Sequence, residues 1–452
     1  MLANRAWAIG FLWVSLNLEV RAQSPADMSA LKGLSPVTVL SKTPQGNAAL
    51  AGNYTVTGGI QTGVIRQSTL LPFAEQQHQA LRDVFITYGN LAQLAVGLGT
   101  TLGAAYEAKA HYLDQTHYTS VTPSVAAVIA YAEAVSGAHS SAAKYLFANA
   151  TSDGKSPVSA DAMAILSSIG GETDIYGKGY GLPAGSAGAD AFGDSRPFQT
   201  EPSVAAIAGP DYLNHPADNR VYNRGPLMNL VDSPSYPSGH ATYGFTGALV
   251  LAVLVPARYQ QMITRGAEYG NSRILVGAHY AMDVIGGRTL ALYDMAHLLA
   301  NDGAYLGRTL PHASPIQDFQ SAIKNARAEL TTALVVACGK AIEECAQEDI
   351  GRFSDPAADE AFYADTQTYH LPVVYPQNAG KLEDIGKLAP EAAFLLTIAF
   401  PSLSRDQANT ILTETEGPGG GFLDDGSAFG VYSRLNLYAA ASRAQRERAH
   451  KP

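Results

Sequence analysis

Apolar residues set the first expectation. Between Leu70 and His111 they recur in the rhythm of one helical face, at Leu81, Val84, Phe85, Leu91, Leu94 and Leu98. Pro123 to Phe147, rich in Ala and Val, predicts a helix pair, and Ser159 to Ile169 a further helix. The β-branched alternation that marks strands is sparse throughout. The pattern predicts an all-α chain, a helical bundle. The most apolar run, Gly247 to Val255, stops at Pro256, which predicts a buried core helix rather than a membrane span.

Where the rhythm fails, the chain divides. Residues 1–22 have the form of a signal peptide: Arg5 before an apolar Ala6–Leu18 run, then Val20-Arg21-Ala22 as the cleavage site. An uncleaved anchor is the other reading of that stretch. Residues 23–69 are rich in Gly, Thr, Ser and Asn and predict a loop-rich lead-in. Residues 70–310 form the expected helical domain, and 311–452 a C-terminal helical extension to which no role attaches. Inside the domain, Gly170 to Pro237 is dense in Gly, Pro and Asp; an irregular stretch of that length in a compact domain points to function or disorder.

Composition narrows the partners. The 452 residues are 46% apolar and only 15% charged, which supplies a core and excludes a disordered chain. The net charge of −10, with no basic run, argues against nucleic acid. It leaves room for a small phosphorylated substrate, since a few arginines in a pocket outweigh a distant acidic surface. After signal cleavage no integral membrane span is expected; assembly into a homo-oligomer stays open. No nearby His or further Cys completes a metal site around the two cysteines, Cys338 and Cys345, but export would permit a bridge between them.

The chemistry gathers between Pro234 and Asp283. Pro237-Ser238-Gly239-His240 precedes an apolar helix: Ser238 is a good N-cap, and the next amides lack intrahelical acceptors. Such a start, with a Gly allowing close approach, suits an anion, and His240 stands in its first turn. A helix expected to begin near His279 puts His279 and Asp283 on one face, where the carboxylate would fix the imidazole tautomer. Arg273 can meet His279 only across a bend, which Gly277 can supply. Alone, each of these is ordinary helix chemistry; the combination carries the argument.

Arg196-Pro197, then Pro-Ser-Gly-His, then Ser272-Arg273 followed by His279 and Asp283, resembles the signature of the acid phosphatase and vanadium haloperoxidase superfamily, which includes the type 2 phosphatidic acid phosphatases. The short separation of the last two blocks is most similar to the soluble bacterial class A non-specific acid phosphatases. The resemblance implies a metal-independent phosphomonoesterase, periplasmic or secreted, with no cofactor. Arg196, Ser238, Gly239 and Arg273 would bind the phosphate. His279, oriented by Asp283, would form a phosphohistidine, and His240 would protonate the leaving group. A vanadate-dependent haloperoxidase is the alternative, as is a weakened phosphate-binding relative. One position departs from the pattern: the lysine expected seven residues before Arg196 is Ala189, for which Lys178 is a candidate substitute.

Overall fold

The computed structural model describes residues 25–449, except 88, 149–157, 174–193, 202–203, 225–229, 231–232 and 349–350. The expected signal peptide, Lys178 and Ala189 lie outside the described residues. The helices of ten residues or more are α1 (Pro25–Leu34), α2 (Pro44–Thr62), α3 (Phe73–Arg82), α4 (Pro123–Phe147), α5 (Ala160–Ile169) and α6 (Gly239–Leu254). They continue with α7 (Tyr259–Leu275), α8 (Ala281–Leu299), α9 (Phe319–Cys338), α10 (Pro356–Thr368), α11 (Arg405–Glu414) and α12 (Leu437–Ala449). The fold is all-α, as the periodicity predicts. Among the described residues the strands are β1 (Ala208–Pro210) and β2 (Pro216–Asp218), antiparallel with Gly209 opposite Ala217.

Helix α6 is the centre. It is apolar on every side, and almost every residue from His240 to Leu254 is buried, as expected of a core helix. It packs most extensively on α7, α8 and α4. The contact with α8 is close at Gly287, where a Cβ would stand 2.4 Å from the Ser238 carbonyl oxygen. Only a residue without a side chain lets α8 lie directly against the first turn of α6.

The loop-rich lead-in expected for 23–69 is corrected by the structure. That stretch forms α1, a 3-10 segment from Ser35 to Lys42, and α2. Pro44 opens α2 and Thr43 caps it, accepting the Gly46 amide at 3.0 Å. The polar residues that hid the helix are a buried stripe at four-residue steps: Asn53, Thr57 and Gln61. Hydrogen bonds that Asn53 and Thr57 accept from the start of α8 hold it in place, beside core contacts of Ala49 and Ile60.

The boundary drawn at 310 does not separate two cores. Leu395, Leu396, Tyr432 and Leu437 belong to the same apolar cluster as Leu249 and Leu290. Tyr259 Oη donates to the Leu395 carbonyl at 2.9 Å, and Arg327 ties α9 to the carbonyls of Val253 and Ile398. Helices α10 and α12 lie on α7. Cys338 and Cys345 form a disulfide that pins the end of α9 to the turn of helix Ile342–Glu348.

Candidate active site

The first wall of the site is the start of α6. Asp194 shapes the approach: its carbonyl accepts the Ser235 amide at 3.1 Å and its carboxylate the Tyr236 amide at 3.0 Å. Ser238 then caps α6 as expected, its hydroxyl accepting the Ala241 amide at 3.0 Å. The Gly239 and His240 amides follow in the first helical turn, where no intrahelical acceptor exists. Gly239 is less buried than Ser238 or His240, so the cradle is most open there.

The second wall is the turn between α7 and α8. Helix α7 ends at Leu275, and Gly277 takes the left-handed conformation (φ 77°) that the bend requires. The Ala278 and His279 amides return to the Arg273 carbonyl at 3.0 and 3.3 Å. Arg273 and His279 therefore converge, as the bend predicts. The expectation that His279 lies on the following helix is corrected: α8 begins at Ala281, with Tyr280 as its N-cap. Asp283 meets His279 because it caps that helix. Its Oδ2 accepts the Tyr280 amide at 2.8 Å and the Ser235 hydroxyl, and stands 3.4 Å from His279 Nδ1. The Asp283 carbonyl accepts the Ser238 amide at 3.0 Å, joining the two walls directly.

Across the gap, His240 Nδ1 is 2.9 Å from His279 Nε2. Both rings have their proton affinity pushed well below the ordinary imidazole value. For His240 the causes are burial, then Arg273 and Arg196; for His279 they are burial, then Arg196 and His240.

The two arginines differ. Arg196 is fully buried and holds the surrounding chain: Nε donates to the Ser233 carbonyl (2.7 Å), Nη1 to the Ala278 carbonyl (2.9 Å), and Nη2 to the Pro234 carbonyl (3.0 Å). Nη1 also lies 3.1 Å from His279 Nε2. Arg273 lies over the Tyr269 ring and donates Nη2 to the Ala80 carbonyl at 2.7 Å. Its buried Nε and Nη1 have no hydrogen-bond partner among the described residues. Buried guanidinium donors are rarely left unmatched, so these two are available to an anion. The neighbouring Ser272 turns away, donating to Asp83 Oδ2 at 2.8 Å beside the buried Asp83–Arg265 pair.

Residues 186–300 match the family model of the PAP2 superfamily. The chain carries a PAP2 superfamily domain. Over 64 residues it is 47% identical to the non-specific acid phosphatase of Salmonella typhimurium, covering 14% of this chain and 26% of that protein. Over 64 residues it is 45% identical to an acid phosphatase of Zymomonas mobilis (14% and 24%), and over 72 residues 40% identical to the non-specific acid phosphatase of Providencia stuartii (16% and 29%). The aligned stretch thus spans about a quarter of each relative.

The PAP2 domain is supported by residues outside the motif blocks. Asn53 Oδ1 accepts the Met282 amide at 2.9 Å, and Thr57 Oγ1 the Ala281 amide at 3.0 Å. Together with Asp283 they satisfy the start of α8 and hold the turn that presents His279. Their sequence signal was the four-residue polar stripe in α2. Ser235 and Asp194 adjoin motif blocks, but nothing in their spacing sets them apart from neighbouring loop residues.

Proposed function

We propose that this chain is an exported, metal-independent phosphomonoesterase that works through a phosphohistidine on His279. The observation that carries this reading is the meeting of His279 and His240 at 2.9 Å, beside the unpartnered donors of Arg273 and the first turn of α6. The names of the relatives, acid phosphatases matched over 64 residues, support the same reaction class.

In the first step His279 Nε2, its lone pair exposed because Asp283 and Ser235 face Nδ1, forms a bond to phosphorus. The ester P–O bond breaks, and His240 gives its proton to the departing alkoxide. In the second step His240 takes a proton from water. The water oxygen bonds to phosphorus, the N–P bond breaks, and inorganic phosphate leaves. Arg273, the α6 amides and the charge of Arg196 stabilise the transferring group. A phosphoryl group cannot fit within 2.9 Å, so the ring-to-ring contact has to open as substrate enters. Burial and the arginines keep His240 neutral in the free site; the substrate dianion offsets that positive field and restores its proton.

Export is supported by the Cys338–Cys345 bridge, since disulfides persist in oxidising compartments. No helix among the described residues is long and apolar enough to cross a membrane. The deciding experiment is turnover of a chromogenic phosphomonoester by the purified chain, with and without chelator, followed by peptide mapping of trapped label. Label on His279 and indifference to chelator support the reading. Absence of turnover, or loss of it on chelation, refutes it.

A further inference from the structure

The position that the family resemblance reserves for a lysine holds Ala189, yet a lysine reaches the cradle from another helix. A Cβ built on Gly239 would stand 3.4 Å from Lys144 Nζ and 3.5 Å from Ser140 Oγ. Both side chains come from α4, one helical turn apart, and both face the bare backbone at the start of α6. Ser140 is buried, and its hydroxyl has no hydrogen-bond partner among the described residues. Helix α4 is held in this register by the preceding residue, His139, whose Nδ1 is 2.8 Å from Asp294 Oδ1 on α8.

We propose that Lys144, with Ser140 beside it, binds the phosphoryl oxygens of the substrate and supplies the positive charge that Ala189 does not. This rests on the phosphatase reading above and names a binding residue outside the 186–300 family match. The surroundings of Lys144 agree. Asp194 and Asp283 lie near enough to favour its charge. Arg196 opposes its charge, and Lys144 in turn opposes charge on His240 and His279. Burial and Arg196 bring the ammonium down to about 7. A phosphoryl dianion between Lys144, Arg273 and the α6 amides would favour the charged form of the lysine against Arg196.

The test uses the full chain and inorganic phosphate as the probe, with binding measured by calorimetry and turnover of a phosphomonoester measured alongside. Lys144→Met should weaken phosphate binding by roughly tenfold or more, the loss of one charge-assisted hydrogen bond, and raise KM more than it lowers kcat. Lys144→Arg should restore most of the affinity. Lys324→Met, on the exposed side of α9, should change neither. Should Lys144→Met fail to fold, Lys144→Gln carries the same test. Phosphate binding by Lys144→Met equal to that of the unaltered chain overturns the assignment while leaving the phosphatase reading intact. Phosphate binding that depends on Lys144, in a chain that turns over no phosphomonoester, keeps the assignment and removes that reading. A chain that does not bind phosphate overturns both.

Discussion

His240 Nδ1 and His279 Nε2 stand 2.9 Å apart, so two buried rings share one hydrogen. With Asp283 and Ser235 on the Nδ1 side of His279, its Nε2 is the acceptor and His240 the donor. That tautomer agrees with the proposed role of His279 as the nucleophile. His279→Ala should remove turnover while phosphate binding persists. His240→Ala should slow alkyl esters severely and spare substrates whose leaving groups need little protonation. The comparison of kcat for an alkyl and a nitrophenyl ester in each variant checks this; equal losses on both esters in His240→Ala would sink the division of labour.

Stability should fall on both sides of neutrality, for opposite reasons. His240 and His279 are held below the ordinary imidazole value, near 6.5. Their contribution is full above that value; as pH falls below it, the unfolded chain takes up protons first and stability is lost. His139 is the reverse. Burial alone would lower it, but Asp294 and Asp27, with Arg308 and Tyr305 also at the ring, leave it raised to about 9. Its contribution, on the order of 3 kcal/mol, is full below the ordinary value and lost as pH rises through about 9. Thermal melts across pH should therefore show two limbs. His139→Gln should lower the plateau and flatten the alkaline one; an unchanged alkaline limb in that variant contradicts the assignment.

Asn53→Ala and Thr57→Ala should each cost about 1 kcal/mol, as the loss of a helix cap does. Their effect on turnover should exceed what that destabilisation explains, because they hold the backbone before His279. Thr55→Ala, on the exposed side of α2, is the control. Activity that simply follows the folded fraction in all three would show α2 to be scaffold alone.

The core and the site were legible in the sequence to different depths. Helix α6 was readable because GALVLAVLV admits no other burial, and Ser238 as its cap because Ser before an apolar helix has one common use. Helix α2 was not. Its inward face carries Asn53, Thr57 and Gln61, and a polar stripe gives no apolar periodicity even when it is buried. The four-residue spacing of His279 and Asp283 suggests one shared helix. The same spacing arises when the carboxylate caps the helix and the histidine precedes it. Lys144 lies 95 positions before Gly239 on α4, where one lysine at a helix end carries no local sign of its target.

Gly287→Ala should disable the site from behind. A methyl group there meets the Ser238 carbonyl at 2.4 Å, and the start of α6 has to move away from α8. Turnover should fall about a hundredfold for a shift of 1 Å, with a smaller change in the melting temperature. Gly303→Ala, where a Cβ has open space, should be silent. Wild-type turnover in Gly287→Ala would mean that the cradle tolerates the shift.

The apolar cluster that runs from Ala30 to Ala444 has a consequence for how this chain can change. The portion that matches the PAP2 superfamily is not a module that can be excised. Residues 186–300 contain both histidines, but their helices are covered on one side by α2 and α4 and on the other by chain beyond Phe319. Cut to the family match, α6 to α8 would present their buried faces to water. A change in a flanking helix therefore reaches the turn and the helix start that carry His279 and His240 through one shared core.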